Sequence, residues 1–248
     1  MPRKAAIVQS NYIPWKGYFD LIRQVDEFIL YDDVQYTRRD WRNRNLIKTA
    51  HGLHWLTIPV DVKGKYYQPI RETQIADPGW AERHWKTIVH NYGRAAHFED
   101  YRRQLEALYL GCSEPFLSLV NYRFLTALCG LLGIRTRISW SSDYRLVPGK
   151  TERLVDLCRQ VGADEYVSGP SARCYIVPEL FAEAGVRLTW MEYNGYPEYP
   201  QLHGPFEHGV SVMDLLLNCG ADASRYLDRS RHGPVDRDDA VSQRRLSA

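Results

Sequence analysis

Residues 5–31 read AAIVQSNYIPWKGYFDLIRQVDEFILY. The apolar run 5–8 is short enough for a buried strand and stops at Gln9-Ser10-Asn11. Residues 12–17, YIPWKG, form a loop punctuated by Pro14 and Gly17. Phe19, Ile22 and Val25 then recur at helical spacing, and residues 27–31 form a second strand. Strand, loop, helix and strand within about 30 residues make a βαβ unit, and a βαβ unit implies a parallel sheet. The expectation is an α/β fold with a mainly parallel, Rossmann-like sheet. Such sheets bind ligands beyond the carboxyl ends of their strands. Gln9 and the pair Asp32 and Asp33 fall at those ends.

The next stretch, residues 31–59, is YDDVQYTRRDWRNRNLIKTAHGLHWLTIP. Two carboxylates, the amide of Gln35 and the cluster Arg38, Arg39, Arg42 and Arg44 follow directly on a strand end, with Trp41, Asn43 and Asn45 interleaved. A core has no use for these groups, whereas a site that holds an anion does. A solvated charged loop is the competing reading, at about even odds. Further on, residues 55–60 read as a third strand, and helices are expected at 78–92, 100–109 and 115–132, forming a helical insert over about 77–132. A second alternating run follows: strand 136–140, a helix with Thr151 as N-cap, strand 165–167, helix 177–184 and strand 186–191. After the Tyr- and Pro-rich loop 193–205, Ser211 caps a last helix that ends at Gly220. This gives one α/β domain over residues 1–228. The tail 229–248 has hardly any aliphatic residue and is expected to be disordered.

The 248 residues are 44% hydrophobic and 25% charged, ordinary values for a globular chain. A net charge of +2 gives no field for a nucleic-acid duplex. No apolar stretch is long enough to span a membrane, and the start of the chain does not read as a signal peptide. The five Cys lack CxxC or Cys/His metal spacing. Buried, reduced thiols in a cytoplasmic protein are the default, with neither metal nor cofactor expected.

Each candidate for chemistry has a plainer alternative. Gly17 precedes a helix that would receive a phosphate, but neither GxGxxG nor GxxxxGK[ST] is present, and a tight turn with Trp15 packed over it is favoured. Adjacent Asp32 and Asp33 point to opposite sides of an extended chain, so one of them faces the cleft. Arg42 and Arg44 would share a side and grip an anion, leaving Asn43 and Asn45 to fix backbone. Ser171 in SGPS lacks the nucleophile elbow, so backbone positioning is preferred. His203 and His208 have no third metal ligand, and one of them is a candidate base. Cys174 and Cys219 are candidate acyl-accepting thiols, weighed against inert buried cysteines.

Four blocks carry a family resemblance: VQSNYIPWKGYFDLI, YDDVQYTRRDWRNRNLIK with WLTIPV, EYVSGPSARCYI and VSVMDLLLNCG. They resemble the WbqC-like family from about residue 7 to residue 220, and the DW-NRN arrangement after a YDD strand end is specific to it. Ser10 stands where the family usually has Pro, and HGPFEH is richer in histidine than its pattern. The resemblance implies a bacterial accessory enzyme of surface-polysaccharide and related biosynthetic clusters, with glycyl or other aminoacyl transfer to an amino sugar suggested. Catalytic residues do not carry over from it. The matching positions are Gln9, Tyr12, Pro14, Trp15, Gly17, Tyr18, Asp32, Asp33, Gln35, Trp41, Arg42, Asn43, Arg44, Asn45, Ser168, Gly169, Tyr175, Ser211 and Asp214.

Together these readings give a transferase that moves an acyl or aminoacyl group onto an amine. Asp33, Asp32 and Gln9 are the catalytic candidates. Tyr12, Trp15, Gly17, Gln35, Arg42, Asn43, Arg44, Ser168, Gly169, Ser171, Tyr175 and His208 are the substrate-binding candidates. The partner is a small-molecule substrate, with a donor carried on a protein thioester or on tRNA. The alternatives are a cyclising or condensing tailoring enzyme and a non-catalytic scaffold.

Overall fold

The structure is a computed structural model, and it describes residues 2–228. The expectation of a disordered tail lies outside the described residues. The opening stretch folds as its pattern requires: β1 (Lys4–Val8), α1 (Lys16–Arg23) and β2 (Glu27–Leu30), with β1 and β2 parallel and Ala5 opposite Glu27. The second alternating run supplies β5 (Arg137–Trp140), α5 (Thr151–Gln160), β6 (Glu165–Ser168), α6 (Pro178–Glu183) and β7 (Arg187–Trp190). These strands complete a five-stranded sheet, ordered β5-β2-β1-β6-β7 and parallel throughout. Counted along the chain, that is the Rossmann order 3-2-1-4-5, with its reversal between β1 and β6.

The strand expected over 55–60 is found as Gly52–Thr57, shifted towards the N-terminus, with a partner strand that was not expected. Residues 44–57 form an antiparallel hairpin, β3 (Arg44–Thr49) and β4 (Gly52–Thr57), which among the described residues pair only with each other. Asn45 and Ile47 on β3 and Leu56 on β4 face inward, while Leu53 and Trp55 are exposed. The polar spelling RNRN concealed a strand whose buried positions include an asparagine.

Helices α2 (Trp80–Tyr92), α3 (Phe98–Leu110) and α4 (Leu117–Leu131) stand between the hairpin and β5. Their apolar faces join the sheet in one core: Phe28 and Leu30 pack in the same cluster as Trp80, Tyr109 and Phe124. Helix α7 (Val212–Cys219) follows a long strap, 191–210. Ser211 caps α7, its Oγ accepting from Met213 N–H at 3.3 Å, as its sequence predicts. Thr151 is not an N-cap. It is the first residue of α5, and its hydroxyl accepts from Val177 N–H and donates to the Tyr175 carbonyl. Among the described residues, no helix is long and apolar enough to cross a membrane.

Candidate functional site

The carboxyl ends of β1, β2 and β5 are tied together by one carboxylate. Asp32, just past β2, is buried and accepts the Ser10 N–H beyond β1 at 2.8 Å. Its other oxygen takes the Ser118 hydroxyl from the first turn of α4. Ser118 in turn accepts the indole N–H of Trp140, the last residue of β5, at 3.1 Å. One helical turn further along α4, Asn121 donates to Ser10 Oγ and to the Arg42 carbonyl, both at 2.9 Å. Burial pushes the Asp32 carboxyl up from its ordinary pKa, opposed by the Ser118 and Ser10 hydrogen bonds and by the Arg42 charge.

Asp33 points elsewhere, the two aspartates lying in a turn past β2 rather than on the extended chain expected from the sequence. It meets Arg71 Nη1 at 2.9 Å and accepts from Ser141 Oγ at 2.5 Å. The two arginines separate as well. The Arg42 guanidinium reaches Asn11 Oδ1 and lies 3.6 Å from Asp40. Arg44 donates to the Arg39 carbonyl and stacks 4.1 Å from the Trp55 ring. The paired grip of Arg42 and Arg44 is therefore replaced by separate engagements. Asn43 and Asn45 do fix backbone, through the carbonyls of Ile58 at 2.7 Å and Tyr12 at 3.1 Å.

Several sequence candidates prove to be internal. Tyr12 is fully buried, its hydroxyl between His84 Nδ1 at 2.9 Å and Tyr109 at 3.0 Å, so it belongs to the core rather than to a rim. A Cβ on Gly17 would clash with the Trp15 indole, which is the packed turn and not an open phosphate cradle. Trp15 also meets Tyr193 and Tyr196 of the strap, at centroid distances of 5.3 and 5.7 Å. Ser168 is buried at the end of β6, and Gly169 comes next to the Tyr193 hydroxyl. Gln9, whose carbonyl accepts from Tyr18 at 2.9 Å, is partly exposed together with Asn11, Trp15, Arg42, Gly169 and Tyr193. Gln9 and Gly169 follow the ends of β1 and β6, where the strand order reverses; Tyr193 reaches both Trp15 and Gly169 there, and Arg42 reaches Asn11.

Other candidates lie apart from that cluster. Gln35 is exposed and holds the Tyr66 carbonyl at 2.9 Å. Ser171 and Tyr175 are exposed on the turn after β6. His208 packs edge-on against Phe206, and His203 bonds the Asn91 carbonyl. Cys174 corrects the expectation of buried thiols, being exposed with its Sγ donating to the Ser171 carbonyl, while Cys129 and Cys158 are buried.

Sequence reasoning missed Ser118, Asn121, Ser141, Arg71 and Lys16. The signal for the first two was present: polar residues three apart on the buried face of LSLVNYRFLTALCGL. Lys16 is 2% exposed. Its ammonium donates to the Pro197 carbonyl at 2.9 Å among the rings of Tyr196, Tyr199 and Phe206, 5.1–5.4 Å away. Burial lowers its pKa to about 7. Nearby Asp214 is also buried, accepting from Tyr92, Tyr199 and Gln201 at 2.8–2.9 Å.

The sequence profile of the WbqC-like protein family matches residues 9–226, which includes every strand end described above except the last residue of β1. The chain belongs to the WbqC-like protein family. A relative in Mycobacterium tuberculosis, described only as an uncharacterised protein, is 57% identical over 225 residues, covering 91% of this chain and 97% of the relative. No solved structure matches the chain. For this WbqC-like protein, the family blocks coincide with structural work: the first builds the β1–α1 turn, the second builds the Asp32 junction and the hairpin, and the last caps α7.

Proposed function

We propose that this WbqC-like protein is a biosynthetic transferase that places an acyl or aminoacyl group on the amine of a sugar or another small-molecule intermediate. The observation that carries the reading is the buried Asp32 carboxyl, its pKa raised, near the Arg42 guanidinium at the carboxyl ends of β1 and β2. Perturbed carboxylates beside a cation at the strand ends of an α/β sheet are features of functional sites, and a scaffold has no need of them.

In this reading the two carboxylates divide the work. Asp32 has both oxygens engaged and positions the Gln9–Asn11 turn. Asp33, beside Arg71 and Ser141, takes the proton of the attacking amine. Arg42 holds an anionic handle of donor or acceptor, and Gln9 donates its amide to the developing oxyanion. The donor is an activated acyl group on a carrier-protein thioester or on tRNA.

A strain lacking the gene tests this. It should accumulate an intermediate with a free amine, lighter by one acyl or aminoacyl unit on mass spectrometry. The wild-type gene should restore the product, and the Asp33→Asn gene should not. Full restoration by Asp33→Asn would overturn the assignment of the base, and an unchanged metabolite profile in the deletion strain would overturn the transferase.

A further inference from the structure

The polar loop that follows the hairpin folds back onto the family's second block. The Gln35 and Pro69 backbones form a bridge, Tyr36 N–H donates to the Gln68 carbonyl at 2.9 Å, and the Gln35 side chain holds the Tyr66 carbonyl. The result is an open depression of about 700 Å³ lined by Tyr66, Tyr67, Gln68, Glu72, Gln74 and Phe116. Tyr66 and Tyr67 are 69% and 83% exposed, with ring centroids 4.9 Å apart and planes 89° apart. Exposed rings are normally scattered, and two adjoining ones beside a depression mark a contact surface.

The rest of the lining specifies what fits. Its charges are already engaged: Lys65 pairs with Asp61 at 2.7 Å, and Glu72 lies 3.6 Å from Arg71. The depression therefore offers an ionic ligand no unmatched charge. It does offer the exposed amide of Gln74, beside Gln68, whose amide nitrogen donates to the Asp61 carbonyl at 2.9 Å. A ligand with apolar C–H faces for the rings and a rim of hydroxyls for the exposed Gln74 amide fits this lining. We infer that the Tyr66–Tyr67 depression binds a neutral glycosyl unit.

Its place in the molecule gives the site a role. Arg71 touches Glu72 on one side and Asp33 on the other, so the depression adjoins the carboxylate assigned as base. As an acceptor subsite it rests on the transferase reading, whereas as a glycosyl-binding surface it stands without that reading.

Saturation-transfer difference NMR on the full chain tests it, with methyl β-glucoside, methyl β-galactoside, N-acetylglucosamine and cellobiose as millimolar probes and glycerol as the control. At least one pyranoside should receive saturation on its ring C–H protons. Tyr66→Ala and Tyr67→Ala, both changes of exposed rings, should each weaken that binding at least tenfold with unchanged melting. No transfer beyond glycerol to any probe would overturn the proposal. So would transfer that survives both substitutions, or a sedimenting dimer that both substitutions dissociate, which would make the face a self-contact. Asp33→Asn separates the two readings: it should retain the sugar signal, and a transferase that failed its own test would leave this signal intact.

Discussion

Gly17 and Lys16 are neighbours at the start of α1, and each is constrained by an aromatic ring. A side chain at Gly17 would clash with the Trp15 indole, so Gly17→Ala must displace that ring or the helix start. Overpacking of this kind costs about 1–3 kcal/mol. Urea unfolding should show the loss, with a shift in tryptophan emission as Trp15 leaves Tyr193. Unchanged stability and emission would mean the indole swings aside freely. Lys16 gives a prediction in pH. Its pKa in the folded chain is about 7, against an ordinary 10.5. Between these values the unfolded chain keeps the proton that the folded chain has lost, so this group's contribution to stability rises with pH across that window. Wild type should gain stability relative to Lys16→Met from about pH 7 upward; above about pH 9 the buried thiols of Cys129 and Cys158, pushed up to about 12, lower the stability of both proteins alike. Parallel stability curves for wild type and Lys16→Met across that window would disprove the linkage.

At the scale of elements, α4 is the brace of the strand-end cluster. Ser118 holds Asp32, and Asn121 holds both Ser10 and the Arg42 carbonyl. Asn121→Ala removes one buried and one partly buried hydrogen bond and leaves two acceptors with one fewer donor, a loss of about 1–3 kcal/mol. Chemical denaturation measures it, and a loss under about half a kcal/mol would show that water replaces the amide. This brace was hard to read in the chain because it joins residues 10, 32, 42, 118 and 140, and no local pattern reports such distances. The βαβ units were legible because apolar runs, Pro14 and Gly17 mark them locally. The first strand of the hairpin was not, because its buried positions alternate Asn45 with Ile47. Polarity in a sequence reads as solvent exposure, whereas Asn43 and Asn45 spend their amides on carbonyls inside the protein. Tyr12 misled for a related reason: a phenol can end a core as well as line a cleft.

At the scale of the whole molecule, the described chain closes on itself through its last turn, Gly220–Leu227. Leu227 is fully buried, Ala223 is 1% exposed, and Arg23 of α1 donates to the Leu227 carbonyl at 3.0 Å. Removing residues 229–248 should therefore leave the melting temperature within about 2 °C, a small shift for a domain of this size. Cutting back to Gly220 should lower it far more, because two buried apolar side chains and the Arg23 contact go with the segment. A large fall from the first truncation would show that the tail docks. The parallel sheet and its Rossmann-like character were readable from alternation alone. The place of β1 at the centre was not, since its second partner lies far along the chain, with Lys4 opposite Glu165.

That central position governs the timing of assembly. Strand β1 is made first, and β2 can pair with it as soon as residue 30 is available. Its other edge stays open until β6 has been synthesised, well over a hundred residues later. Contacts so distant in sequence close slowly. During that wait the nascent chain displays an apolar strand edge, a hazard for pairing with other chains. The crevice between β1 and β6 is consequently among the last features to form, and a chain released before residue 168 would carry the Asp32 junction but no second wall to its site.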